Sequence, residues 1–189
     1  MNIKTTSIIN AALSDLDSNK EKLRNKAYNT LLPISESSPE KLYPEWDKLV
    51  KILNKKEVSN KYVVIPLIAN LTLIDNENKF DGIFTMFYDL LNHESPVVSP
   101  HIAGQSGKII KNKPYLQEKI LEKLLSTDKY SECRHKELLK SYVIDALTDC
   151  FHVIKNKEKV LQFVKGQINS DSPKTKNRAK EFLKKFYEK

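Results

Sequence analysis

The sequence predicts an all-α protein, a right-handed α–α superhelix of about four stacked helical hairpins with a half-repeat at each end. Three observations predict it. The 189 residues include only four glycines. Apolar residues recur at intervals of three and four, which gathers them on one stripe of a helix. The helices delimited in this way come in pairs, and the pairs recur at a nearly constant separation.

Taken in chain order, an unpaired helix over 4–15 comes first. The first hairpin joins a helix over 18–36 to one over 39–54. Leu42, Trp46, Leu49, Val50 and Leu53 step by 4, 3, 1 and 3 and form the stripe of its second member. Ser38-Pro39 reads as an N-cap serine followed by proline at the first helical position, where a missing N–H is harmless. The connector NKKEVSN leads to the second hairpin, 58–74 and 79–92, with DNENK between its members. Pro33 and Pro66 fall inside apolar patterns and are expected to kink or divide their helices. Tyr62–Ile65 (YVVI) is β-prone, but too short for a useful strand.

The third hairpin spans 95–111 and 114–126. It opens on Ser95-Pro96, and Leu116, Ile120, Leu121, Leu124 and Leu125 line its second helix. The fourth spans 131–154 and 157–169. A last helix, 173–187, starts at Ser172-Pro173 and buries Ala179, Phe182, Leu183 and Phe186. Small residues stand near the middle of the successive first helices: Ala27, Ala69, Ala103, Ser141 and Ala179, separated by 42, 34, 38 and 38. Neither member of a hairpin buries its stripe alone, whereas stacked hairpins share one continuous core.

The segment SPVVSPHIAGQSGKIIKNKPYLQEKILEKLL resembles a HEAT repeat, with a capped start, Ala103 at the tight contact, Gly107 one turn later, and a turn ending in Pro114. DSPKTKNRAKEFLKKF has the same start-of-repeat character. The resemblance to the HEAT/armadillo class is good over 95–126 and 172–186, fair over 18–54, and one of length and pattern elsewhere. It implies a single HEAT-like domain over 1–189.

HIAGQSGKII, residues 101–110, holds two of the four glycines. A phosphate-binding loop requires glycine five residues before Gly107 and a hydroxyl after Lys108; Ile102 and Ile109 stand there. The match to the GxxG loop of KH domains needs flanking strands, but FDGIFTMFYDLL and YLQEKILEKLL are both helical patterns. The stretch is therefore predicted to be helix.

No set of residues assembles a recognisable reaction centre. Cys133-x-His135 and Cys150-x-His152 look like matched metal ligands, but on one helix 17 residues separate them by roughly 25 Å. HEAT-repeat metalloenzymes of the deoxyhypusine hydroxylase kind carry repeated His-Glu pairs; here His93-Glu94 is alone. HEAT-like DNA glycosylases combine a basic face, aromatic residues and a carboxylate, which Trp46-Asp47 evokes only faintly, since Trp46 has core spacing. Nucleophile, base and orienting group never coincide. The expectation is a non-enzyme without metal or cofactor.

Hydrophobic residues at 40% and charged residues at 30% describe an ordinary folded domain, and two cysteines make no disulfide framework. No apolar run approaches ~18 residues and the opening lacks an apolar signal core, so a cytoplasmic protein without membrane contact is expected. Of the net charge of +8, residues 151–189 contribute 11 basic against 4 acidic groups. Lys155, Lys157, Lys159, Lys165, Lys174, Lys176, Arg178, Lys180, Lys184 and Lys185 are the candidate polyanion-binding residues; a polar outer face on the last repeat of a stack is the structural alternative. The expected function is a scaffold that binds a protein or peptide through an inner face lined by the second helices. A nucleic-acid-binding basic end is the alternative.

Overall fold

The computed structural model describes residues 3–187, with the side chains of residues 3–5 and 59 outside the description. All regular structure among the described residues is helical. The helices are α1 (Ile3–Leu16), α2 (Glu21–Ser37), α3 (Pro39–Leu42), α4 (Trp46–Leu53), α5 (Val58–Leu71) and α6 (Lys79–Asp89). There follow α7 (Val98–Asn112), α8 (Gln117–Leu125), α9 (Lys136–Cys150), α10 (Lys157–Lys165) and α11 (Pro173–Phe186). The all-α class and the ten predicted helical segments are present. HIAGQSGKII lies wholly within α7.

Several boundaries differ from expectation for identifiable reasons. The helix predicted over 39–54 is broken into α3, a 3-10 turn Tyr43–Glu45, and α4. Pro44 sits in that turn and cannot donate the N–H that a continuous α-helix needs. Pro114 likewise opens a 3-10 turn, Pro114–Leu116, before α8. Pro33 and Pro66, by contrast, lie inside α2 and α5 without dividing them. Ser95-Pro96 is not a helix start: α7 begins at Val98, and the Ser95 hydroxyl accepts a hydrogen bond from the Val97 N–H at 3.3 Å.

The chain divides into two compact units, one ending at Thr85 and the other beginning at Met86. In the first, α2 packs against both α1 and α5, and α4 packs against α5. Helix α5 is the centre of this unit. From Asn60 to Thr72 only Tyr62 is even half-exposed, which explains why its sequence shows no polar face. Burial overrides the β preference of Tyr62–Ile65. Lys61 is tolerated there because its ammonium donates to the Leu53 carbonyl at 2.8 Å; burial pulls its pKa down.

In the second unit α9 is central, packed between α7 and α11. A Cβ placed on Gly107 would lie 2.5 Å from the Ala146 carbonyl oxygen, so α7 and α9 touch backbone to backbone at this point. Ala27, Ala69, Ala103, Ser141 and Ala179 are all buried, each exposed by 2% or less. They are the small positions that let helices approach closely.

Polar ties within each unit share a single range of sequence separation. In the first, Asn70 donates to Ser35 Oγ (2.8 Å), Asn60 to Asp17 (3.1 Å) and the Tyr43 hydroxyl to Asp75 (2.6 Å), joining residues 35, 43 and 32 apart. In the second, Gln117 grips the next hairpin turn twice. It donates to the Val153 carbonyl (3.0 Å) and accepts from the Lys155 N–H (2.8 Å), separations of 36 and 38. The Thr175 hydroxyl bonds the Glu137 carbonyl, and Ser170 its carboxylate (2.8 Å), 38 and 33 residues apart.

Candidate functional site

The residues with chemical potential in the sequence are mostly placed in structural roles. Trp46 is buried at the start of α4, 5.9 Å from the Tyr43 ring, while Asp47 is exposed beside it. Cys133 and His135 precede α9, Cys150 ends it, and His152 lies in the 3-10 turn Phe151–Val153. The four therefore do not share one helix as expected, but α9 still holds the two pairs apart by its length. Both cysteines are buried and free, and burial pushes the Cys150 thiol up to about 12. Among the described residues no group of three or more His, Cys, Asp or Glu side chains converges as metal ligands would.

Asp75 illustrates a carboxylate whose oxygens are fully committed. It accepts hydrogen bonds from the Tyr43 hydroxyl and from the Lys79 (2.9 Å) and Phe80 (3.0 Å) N–H groups, which caps α6. Burial and the Asp75 bond together raise the Tyr43 phenol well above its ordinary range. Lys140, also buried, pairs with Asp128 and Glu137, both at 2.6 Å. Burial lowers its pKa, but the two carboxylates outweigh that and leave it raised. The Lys140 bond in turn holds Glu137 below the usual carboxylate range.

The basic end is where uncommitted chemistry remains. Its residues fall into three groups. Arg178 is paired: its guanidinium meets Asp145 at 2.9 Å and Glu181 at 2.7 Å, both exposed contacts at the surface. Four lysines sit over aromatic rings and make no ion pair among the described residues. Lys174 is 3.7 Å from the Tyr142 centroid, Lys165 3.8 Å from Tyr187, Lys185 5.0 Å from Phe186 and Lys157 5.5 Å from Phe151. A ring face attracts an ammonium but cancels none of its charge. Lys155, Lys159, Lys176, Lys180 and Lys184 make no side-chain ion pair among the described residues; the last three form one row along α11 at spacings of four.

Lys157 and Lys185 also rim a hollow of about 360 Å³ lined by Phe151, His152, Lys157, Leu161, Lys185 and Phe186. Its floor is part of an aromatic cluster, in which Phe151, Phe182 and Phe186 lie 4.6–5.0 Å apart, centroid to centroid. Phe182 and Phe186 are expected on the buried side of the last helix, and the fold adds Phe151 and Leu161 beside them. Their local signal was Phe151-His152 followed by Lys157 and Leu161, four residues apart and hence on one face of α10. A second hollow of about 390 Å³ is lined by Pro100, His101, Gly104, Gln105 and Tyr142, among others. Gly104 and Gly107 thus face different surroundings: open space for one, the α9 backbone for the other. Comparisons with protein-family models, with curated proteins and with solved structures return no match to this chain.

Proposed function

We propose that this chain is a non-catalytic HEAT-like scaffold. In it helical hairpins stack in a right-handed superhelix, and the second helices α4, α6, α8 and α10 present a polar face to a protein or peptide partner. One observation carries the proposal: tertiary hydrogen bonds within each unit join residues 32–43 positions apart, one hairpin to the next. That is the spacing of nearest-neighbour repeats. The second helices carry exposed side chains of both signs, such as Glu118, Lys119 and Glu122 on α8 and Glu158 and Lys159 on α10. Mixed charge of this kind suits a protein surface better than a polyphosphate. The row Lys176, Lys180 and Lys184, without an ion pair among the described residues, favours a second function, nucleic-acid binding at the basic end.

Affinity capture from an extract of the source cells tests both. The scaffold retains a protein after nuclease treatment, and the double reversal Lys119→Glu with Glu122→Lys releases it. Capture that vanishes with nuclease and with Lys176→Glu/Lys180→Glu/Lys184→Glu transfers the function to nucleic acid. A stoichiometric metal or cofactor in the purified protein overturns the non-enzyme assignment.

A further inference from the structure

We propose that the hollow between the turn Phe151–Val153, α10 and α11 takes an acidic peptide segment carrying one apolar anchor side chain. The anchor lies against Phe151, Leu161 and Phe186, and flanking carboxylates meet Lys157 and Lys185. This rests on the protein-binding function above and names the partner's chemistry at a second surface of the second unit.

Some lysines of the chain meet carboxylates, as in Lys55–Asp17 at 2.6 Å and Lys123–Asp89 at 2.8 Å. The two rim lysines stand over phenyl rings and make no ion pair among the described residues, which leaves their positive charge at the mouth of an apolar hollow. Both are exposed, and so is His152, which adds ring nitrogens at the same rim. The floor is preformed, because Phe182 behind it is 1% exposed and holds the rings of Phe151 and Phe186 at 5.0 and 4.8 Å. A rigid apolar floor avoids the ordering cost that weakens docking onto mobile side chains. The volume of about 360 Å³ lies at the small end of ligand pockets and fits a single anchoring side chain better than an extended apolar surface.

The rings also separate a peptide from a single-stranded nucleic acid. Base stacking needs an open ring face. Phe151 is only 6% exposed, Lys185 stands over Phe186, and Lys165 covers the nearby Tyr187 at 3.8 Å. Phosphates would find cations here, but bases would find no platform.

Fluorescence anisotropy on the full chain decides the matter. The probes are a labelled short peptide with one phenylalanine between runs of Asp and Glu, the same peptide with serine in place of phenylalanine, and an oligothymidylate of matching charge. The phenylalanine peptide binds, and the serine substitution weakens it about tenfold, the value of one buried aromatic anchor. Lys157→Glu/Lys185→Glu weakens it by at least a similar factor, whereas Lys22→Glu/Lys26→Glu, exposed on α2, leaves it unchanged. Absence of binding at low salt overturns the inference, as does equal binding of the serine peptide. Oligothymidylate that displaces the peptide and is lost with the same two lysines overturns it in favour of nucleic acid. Failure of the peptide with continued protein capture through α8 removes this hollow alone; loss of protein capture altogether removes the scaffold.

Discussion

Gly104 and Gly107 stand one turn apart in α7, and replacing each by alanine has opposite consequences. At Gly104 nothing lies within 4 Å of an added Cβ, so Gly104→Ala gains helix propensity and stabilises by about 0.5–1 kcal/mol. At Gly107 the same methyl meets the Ala146 carbonyl oxygen at 2.5 Å, a backbone atom that moves only if α9 moves. The overpacking outweighs the propensity gain, and Gly107→Ala destabilises by about 1–3 kcal/mol. Urea denaturation of the two variants checks the pair. Equal midpoints would show that α7 and α9 do not touch backbone to backbone.

At the scale of the helix, three of the four Ser-Pro dipeptides, Ser38-Pro39, Ser95-Pro96 and Ser172-Pro173, look alike in sequence and differ in structure. The Ser172 side chain accepts the Thr175 N–H at 3.3 Å and caps α11, and buried Thr175 then reaches the Glu137 carbonyl of α9. Ser38 precedes α3 without a side-chain cap bond; its hydroxyl accepts only from the Lys41 ammonium, at 3.4 Å. Ser95 lies ahead of the α7 start altogether. Ser172→Ala therefore costs about 1 kcal/mol, the value of a lost N-cap, and loosens α11 from α9. Ser38→Ala stays within about 0.5 kcal/mol of the parent. Thermal melts rank them, and a larger loss at Ser38 refutes this account of the caps.

For the molecule as a whole, alkaline pH is the sensitive direction. Burial holds the Cys150 thiol and the Tyr130 phenol up at about 12, against ordinary values of 9.0 and 10.0, and raises the fully buried Tyr88 as well. Between the ordinary and the raised values the unfolded chain has lost these protons and the folded chain still holds them. Stability from these groups is thus fully present below about pH 9 and is lost as the pH climbs through the range to about 12. The urea midpoint stays level from neutrality to about pH 9 and then falls. Cys150→Ala lowers the whole curve but delays the onset toward the tyrosine range. A midpoint still level at about pH 11 contradicts the burial of these groups.

Helix identity was legible in the sequence because it follows from local periodicity: Leu42, Trp46, Leu49 and Leu53 lie on one stripe whatever surrounds them, and all four are buried. The small-residue ladder was legible for the same reason, since it marks where a repeated pattern needs room. Local pattern could not say which of three serines finds a free N–H, because a cap depends on the helix's first turn to within one residue. Nor could it show that Arg178 pairs with Asp145, 33 residues away, while Lys157 and Lys185 rest on phenyl rings. A lysine's charge is written in the chain. Whether that charge is spent on a carboxylate, left over a ring or gathered at the mouth of a hollow depends on packing between helices, and α9, α10 and α11 meet only in the folded protein.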